Sequence, residues 1–166
     1  MAALPEAVRV AVHLRHPMTP TTVTVDVDLP ADEVFAYAID PTRFHEWQNG
    51  VVAGRMDGQG LPQIGDHCVT TRRIGGAERP ATSEVVRIDP PHSWSVRGID
   101  GPIRASVDLT VEPLTETQSR LTISVDFQGH GIGKVLVPLM VQRQAAKEMP
   151  ANLRALKSRL ENPPSP

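Results

Sequence analysis

Residues 103–111 and 120–127 alternate more strictly than any other part of the chain. Ile103, Ala105, Val107, Leu109 and Val111 share one face with Leu121, Ile123, Val125 and Phe127, while Arg104, Ser106, Asp108, Thr110, Thr122, Ser124 and Asp126 share the other. A strand turns successive side chains to opposite faces, so this pair predicts a sheet that is dry on one side and wet on the other. The dry side has to be covered by a second layer, which rules out a free-standing hairpin or an open two-sided sheet.

One later stretch is long enough to be that cover. Residues 136–160 carry Leu139, Ala146, Met149, Leu153, Leu156 and Leu160 at alternating spacings of three and four, with Gln142 completing the same seam. An amide in an apolar seam must meet a strand polar group, water or a ligand. Pro138 is harmless in a first turn, so the helix is expected to begin close to it. Pro150 lies inside and removes one backbone hydrogen bond at a cost of about 3 kcal/mol, which predicts a bend there.

The remaining segments read as one strand, two short helices and further strands. Residues 22–29 alternate Val23, Val25, Val27 and Leu29 against Thr22, Thr24, Asp26 and Asp28, and Pro30 ends them. Residues 31–39 then read as a helix with Asp32 and Glu33 in its first turn, where the helix dipole favours them. Asp40-Pro41 breaks it, and residues 42–47 form a second short helical turn presenting Phe44 and Trp47. Beyond them, turn residues separate expected strands at 51–56, 67–74, 82–88, 93–99, 103–111 and 120–127, an antiparallel meander.

Composition limits the functional classes. The chain has 166 residues, enough to bury one core without disulfides or metal, and its formal charge of -2 creates no field that would draw in nucleic acid or anionic lipid. The single cysteine, Cys68, fits a reducing compartment, and the expected location is the cytoplasm. No apolar run approaches the roughly 20 residues needed to span a bilayer, so no stable membrane insertion is expected. Residues 1–20 read as an extension, either poorly ordered or an extra edge strand built on Val8, Val10, Val12 and Leu14, and residues 162–166 as a disordered tail.

The stretches VDVDLPADEVF (25–35) and DPTRFHEW (40–47), the turn Asp89-Pro90-Pro91 and the closing LRALKSRLE together resemble the START-like, or SRPBCC, superfamily, in particular its polyketide cyclase/dehydrase and lipid-transport type. The resemblance covers residues 21–161. It implies an α+β helix-grip fold: a curved antiparallel sheet of about seven strands wrapped around a long C-terminal helix, with two short helices between the first two strands. It also implies a cavity between sheet and helix that holds an apolar small molecule.

Motifs for other chemistries are missing. QGHGIGKV (128–135) has Gln128 and Val135 where a phosphate loop needs Gly and Ser or Thr, and its glycines lack the dinucleotide spacing. The six histidines show no ligand spacing, so neither metal nor cofactor is expected. The preferred reading is binding or transport of a hydrophobic, lipid- or polyketide-like molecule, with Phe35, Phe44, Trp47, Trp94, Phe127, Leu139 and Gln142 as ligand-binding residues. A cyclase or dehydratase is the alternative, with Arg72, Glu84 and Tyr37 as candidates for acid/base help, although the strand period leaves open which faces of 67–74 and 82–88 look inward. A protein-interaction module is the third reading, and a monomer or homodimer is expected in every case.

Overall fold

In the computed structural model the described residues are 19–101, 103–129 and 137–163. The expectations for residues 1–17, for most of the glycine-rich loop and for the end of the tail fall outside them. The chain forms strand β1 (Thr21–Val27), helix α1 (Ala31–Ala38), a 3-10 turn (Pro41–Glu46), strands β2 (Val51–Met56), β3 (His67–Ile74), β4 (Ala77–Asp89), β5 (Ser93–Gly98), β6 (Ile103–Pro113) and β7 (Ser119–Gly129), and helix α2 (Val137–Glu161). All seven strands join one antiparallel sheet in the order β1-β7-β6-β5-β4-β3-β2. It is the helix-grip fold, with the short helices between the first two strands.

The predicted dry face is the inner one. Register places Leu109 opposite Ile123, Val111 opposite Leu121, and Val25 opposite Leu121 on the other side. Leu109, Val111, Leu121 and Val27 are at most 3% exposed, and α1 closes over that end of the sheet with Val34 and Phe35. Each such side chain contributes about 1.5–3 kcal/mol through burial. At the opposite end Val23, Val107, Val125 and Phe127 are only partly buried. Among the described residues, the half-barrel is therefore closed beneath α1 and less covered where β1 begins.

Helix α2 lies along β1 and β7. Its C-terminal half is anchored by Met149, Leu153 and Leu156, all buried, by Lys157 Nζ donating to the Asp26 carbonyl at 2.6 Å, and by Glu161 Oε1 accepting from the Asp28 N–H at 2.8 Å. Pro138 falls in the first turn, as its chemistry requires, and Pro150 is accommodated within one continuous helical assignment. The seam differs from the expected one at its start. Leu139 is 44% exposed and Ala146 is exposed, whereas Ala145 packs against the core. A straight 3.6-residue period drifts across a stripe this long, and rotating the stripe by one position brings Ala145 inward.

Two features of β4 depart from the period-two expectation. The strand begins at Ala77 rather than 82, because Gly75 and Gly76, with φ of 58° and 81°, make a two-residue turn that pairs Ile74 with Ala77. Pro80 is tolerated there. Counting from the closing pair, Pro80 and Thr71 form a non-hydrogen-bonded pair, so the missing N–H points away from β3, where β5 pairing does not begin until Ser83. Further along, the register slips between Val85 and Arg87. The slip turns both Val85 and Ile88 inward, opposite Val96 and Trp94, which strict alternation forbids.

Candidate functional site

Where a recess between sheet and helix is expected, inner-face residues arrive from three directions and pack together as part of the buried core. From β3, Cys68 and Thr70 are buried on the inner side, and period two aligns Arg72 with them. From the 3-10 turn, Asp40 caps the first N–H by accepting from Thr42, and the tight turn then delivers Phe44 and Trp47 inward. The turn sits so close to β2 that a Cβ on Gly54 would stand 2.3 Å from the Pro41 carbonyl oxygen. From β5, Trp94 completes an aromatic group in which Phe44 packs edge-on against both indoles, at ring separations of 5.8 Å and 6.5 Å.

Arg72 is the charged candidate on this face, with Arg79 opposite it on β4. Its Nη2 donates to Gln48 Oε1 at 3.1 Å, and no carboxylate among the described residues lies within ion-pair distance of it. Burial pulls its pKa down, opposed by the nearby Cys68 and by the Glu148 carboxylate on α2. Glu148 Oε1 is itself held by Asn49 Nδ2 at 3.3 Å and by Gln144 Nε2. Burial drives the Cys68 thiol up to about 11, so it is neutral at physiological pH. The buried Trp47 and Trp94 indole N–H groups have no hydrogen-bond partner among the described residues.

The other candidates fall elsewhere. Glu84 is paired with His67 on the face opposite Cys68 and Val85, so it points away from the recess. Tyr37 Oη donates to Glu46 Oε2 at 2.8 Å and its ring lies beneath the Arg43 guanidinium, which ties α1 to the 3-10 turn. Its phenol is pushed up to about 12, first by burial and then by the Glu46 carboxylate. Gln142 meets a strand polar group, with Nε2 donating to Thr21 Oγ1 at 2.9 Å and to the Thr19 carbonyl at 3.0 Å, while its Oε1 is buried without a partner among the described residues. Phe35 belongs to the closed end, Phe127 lines the less covered end opposite Ala105, and Leu139 stands at the rim. Gln48 and Glu148 were missed by pattern reasoning, because neither a loop glutamine nor a helix glutamate carries a local signal of what it will face.

Surface crevices lie against α2. One of about 430 Å³ runs between Trp47–Val51 and Ala151, Asn152 and Ala155 of α2, crossed by the Asn49 N–H donating to Asn152 Oδ1 at 3.1 Å. Among the described residues no three His, Cys, Asp or Glu side chains converge on a metal position, and no helix is long and apolar enough to cross a membrane.

Comparison with known proteins adds a family and a set of folds. A family model described as polyketide cyclase / dehydrase and lipid transport matches residues 18–161. Among solved structures, the chain resembles a di-domain aromatase/cyclase, BexL, from the BE-7585A biosynthetic pathway, with a TM-score of 0.69 at 20% identity over 88% of this chain and 48% of that one. It thus spans about half of that protein. A START superfamily protein from Mycobacterium smegmatis gives a TM-score of 0.71 at 16% identity, covering 87% of this chain and 98% of that one. The ZhuI aromatase/cyclase from Streptomyces sp. R1128 gives 0.70 at 18% identity, covering 86% and 93%. At such identities the likeness is one of fold. No curated protein sequence matches the chain.

Proposed function

This chain belongs to the polyketide cyclase / dehydrase and lipid transport family, and we propose that it binds an apolar small molecule in the recess between sheet and α2, with a carbonyl or carboxylate end of that molecule held by Arg72. The observation that carries this reading is the desolvated guanidinium whose one described hydrogen-bond partner is a neutral amide, Gln48. A guanidinium drawn partly out of water with no carboxylate at ion-pair distance among the described residues is costly, and an acceptor on a ligand offsets that cost. The aromatic group around Phe44 supplies the apolar wall, and two indole donors unpartnered among the described residues favour a molecule rich in acceptors.

Binding is preferred over catalysis because acid/base groups near neutral pKa are scarce in the recess. Cys68 ionises only at about 11, Tyr37 at about 12, and Glu84 faces outward. A cyclase remains the second reading on one observation: the charge of Glu148 reaches Arg72, so a carbonyl polarised by the guanidinium would have a carboxylate nearby. The test compares a long-chain fatty acid with its methyl ester. Arg72→Leu should weaken binding of the acid about tenfold, the value of one charge-assisted hydrogen bond, and leave the ester nearly unchanged. Equal affinities for the acid in the two proteins would overturn the assignment of Arg72. Conversion of a poly-β-keto mimic that Glu148→Gln removes at unchanged affinity would favour the cyclase.

A further inference from the structure

The sheet has two edges, β2 and β1, and they are finished differently. At β2 the register slips between Val51 and Ala53 and the 3-10 turn lies against the strand, two of the ways in which a sheet edge is kept from pairing. β1 keeps a regular register throughout and carries neither proline nor lysine. Which of its backbone groups face outward follows from the neighbouring hairpin. The Leu114 N–H donates to the Gln118 carbonyl, so even-numbered residues of β7 bond to β6 and odd-numbered ones bond to β1. The residues opposite those odd-numbered ones are Val23, Val25 and Val27, and the N–H and C=O groups of Thr22, Thr24 and Asp26 therefore point away from the sheet. Side chains of α2 serve the far half of this edge, where Lys157 donates to the Asp26 carbonyl and Glu161 accepts from the Asp28 N–H. The near half is left bare among the described residues. The Thr22 and Thr24 hydroxyls are committed to Ser124 and Thr122, and no described group reaches the outward N–H and C=O of either threonine. A crevice of about 590 Å³ bounded by Thr24, Val25, Asp26 and Lys157 leaves room beside them.

The sequence carries a stretch of strand period directly upstream. Val8, Val10, Val12 and Leu14 alternate with Arg9, Ala11 and His13, and the Thr19 carbonyl, held by Gln142 at 3.0 Å, fixes where the chain enters β1. We infer that residues 8–14 return antiparallel along β1 and add an eighth strand to its free edge at Thr22 and Thr24. Directly opposed residues of paired strands share a face, so the length of the connection decides which side of the stretch looks inward. A connection over 15–18, an ordinary hairpin length, sets Val10 and Val12 on the dry face beside Val23, and one over 15–20 does the same. A connection over 15–19 would turn Arg9, Ala11 and His13 inward instead. The added strand extends the apolar inner face where Val23 and Val25 are only partly buried. It is independent of what the recess binds.

Amide hydrogen exchange of the full chain, read residue by residue by NMR, tests the eighth strand. The Thr22 and Thr24 amides are expected to exchange slowly, as do those of Val23 and Val25, which bond to β7. Val10→Asp combined with Val12→Asp should speed exchange at Thr22 and Thr24 at least about tenfold, while continued protection of Val23 and Val25 shows that the sheet is still folded. Ala11→Asp places the same charge on the opposite face and should leave all four amides protected. Fast exchange at Thr22 and Thr24 in the parent chain, indifference of their protection to the double substitution, or greater sensitivity to Ala11→Asp would each overturn the proposal. So would protection that falls on dilution, which would assign the edge to a second copy of the chain. Cross-strand nuclear Overhauser contacts from Thr22 and Thr24 to residues 9–13 in the parent chain need no variant, and their absence would overturn it equally.

Discussion

A methyl group at position 54 has nowhere to go. The nearest atoms are the backbone of Pro41, which the Asp40 cap and the 3-10 turn hold in place, so the clash cannot be relieved by a flexible side chain. Gly54→Ala should destabilise the protein by roughly 1–3 kcal/mol, the usual range for overpacking, measured by denaturant unfolding. An unchanged midpoint would mean that the turn is not seated on β2 as described. Tyr37 makes a prediction about pH. Its phenol ionises at about 12 in the folded chain against an ordinary value of 10, so the folded state resists losing this proton more than the unfolded state does. That preference is fully present below pH 10 and is lost as pH rises through about 12, which steepens the alkaline fall in stability. Tyr37→Phe should flatten that part of the stability curve relative to the parent. Identical alkaline limbs would show that burial and the Glu46 contact leave no mark on the folded phenol.

At the scale of elements, α2 is two half-helices with different duties. Leu153→Ala and Leu156→Ala should each cost about 2–5 kcal/mol, because both side chains are buried and leave cavities. Leu139→Ala should cost less than about 0.5 kcal/mol, as expected for a surface position away from special features. Thermal unfolding of the three variants checks the gradient, and equal losses at all three would contradict it. The helix itself was legible, since its leucines at 153, 156 and 160 keep a clean three–four rhythm. Its first turns were harder to read, because Leu139 is as apolar as Leu153 and differs only in what stands opposite. Strand β4 follows the same logic. Nothing local announces the slip at Val86, which exists because Val85 and Ile88 both find apolar partners on β5.

Across the whole molecule, closure changes along the sheet. The end sealed by α1 holds the fully buried core, while the opposite end leaves the inner-face Val23, Val107 and Val125 half-covered. Strand alternation is the same at both ends, so this difference in closure is a property of how α1 and α2 sit on the sheet and not of any one segment.

Period two in residues 103–127, the breaks at Pro30 and Asp40-Pro41, and the helical stripe near the C-terminus are local facts. Each follows from backbone sterics and side-chain polarity within a few residues, so the seven-strand, one-helix plan could be read directly from the amino acids. Arg72 marks where that reading stops. Its alignment with Cys68 and Thr70 was evident, but the inward direction of that face depends on which side of the curled sheet receives α2, and its partner Gln48 arrives from a turn 24 residues away. Glu84 lost its candidacy for the same reason: alternation assigns a residue to one of two faces, and only tertiary packing decides which of the two is dry.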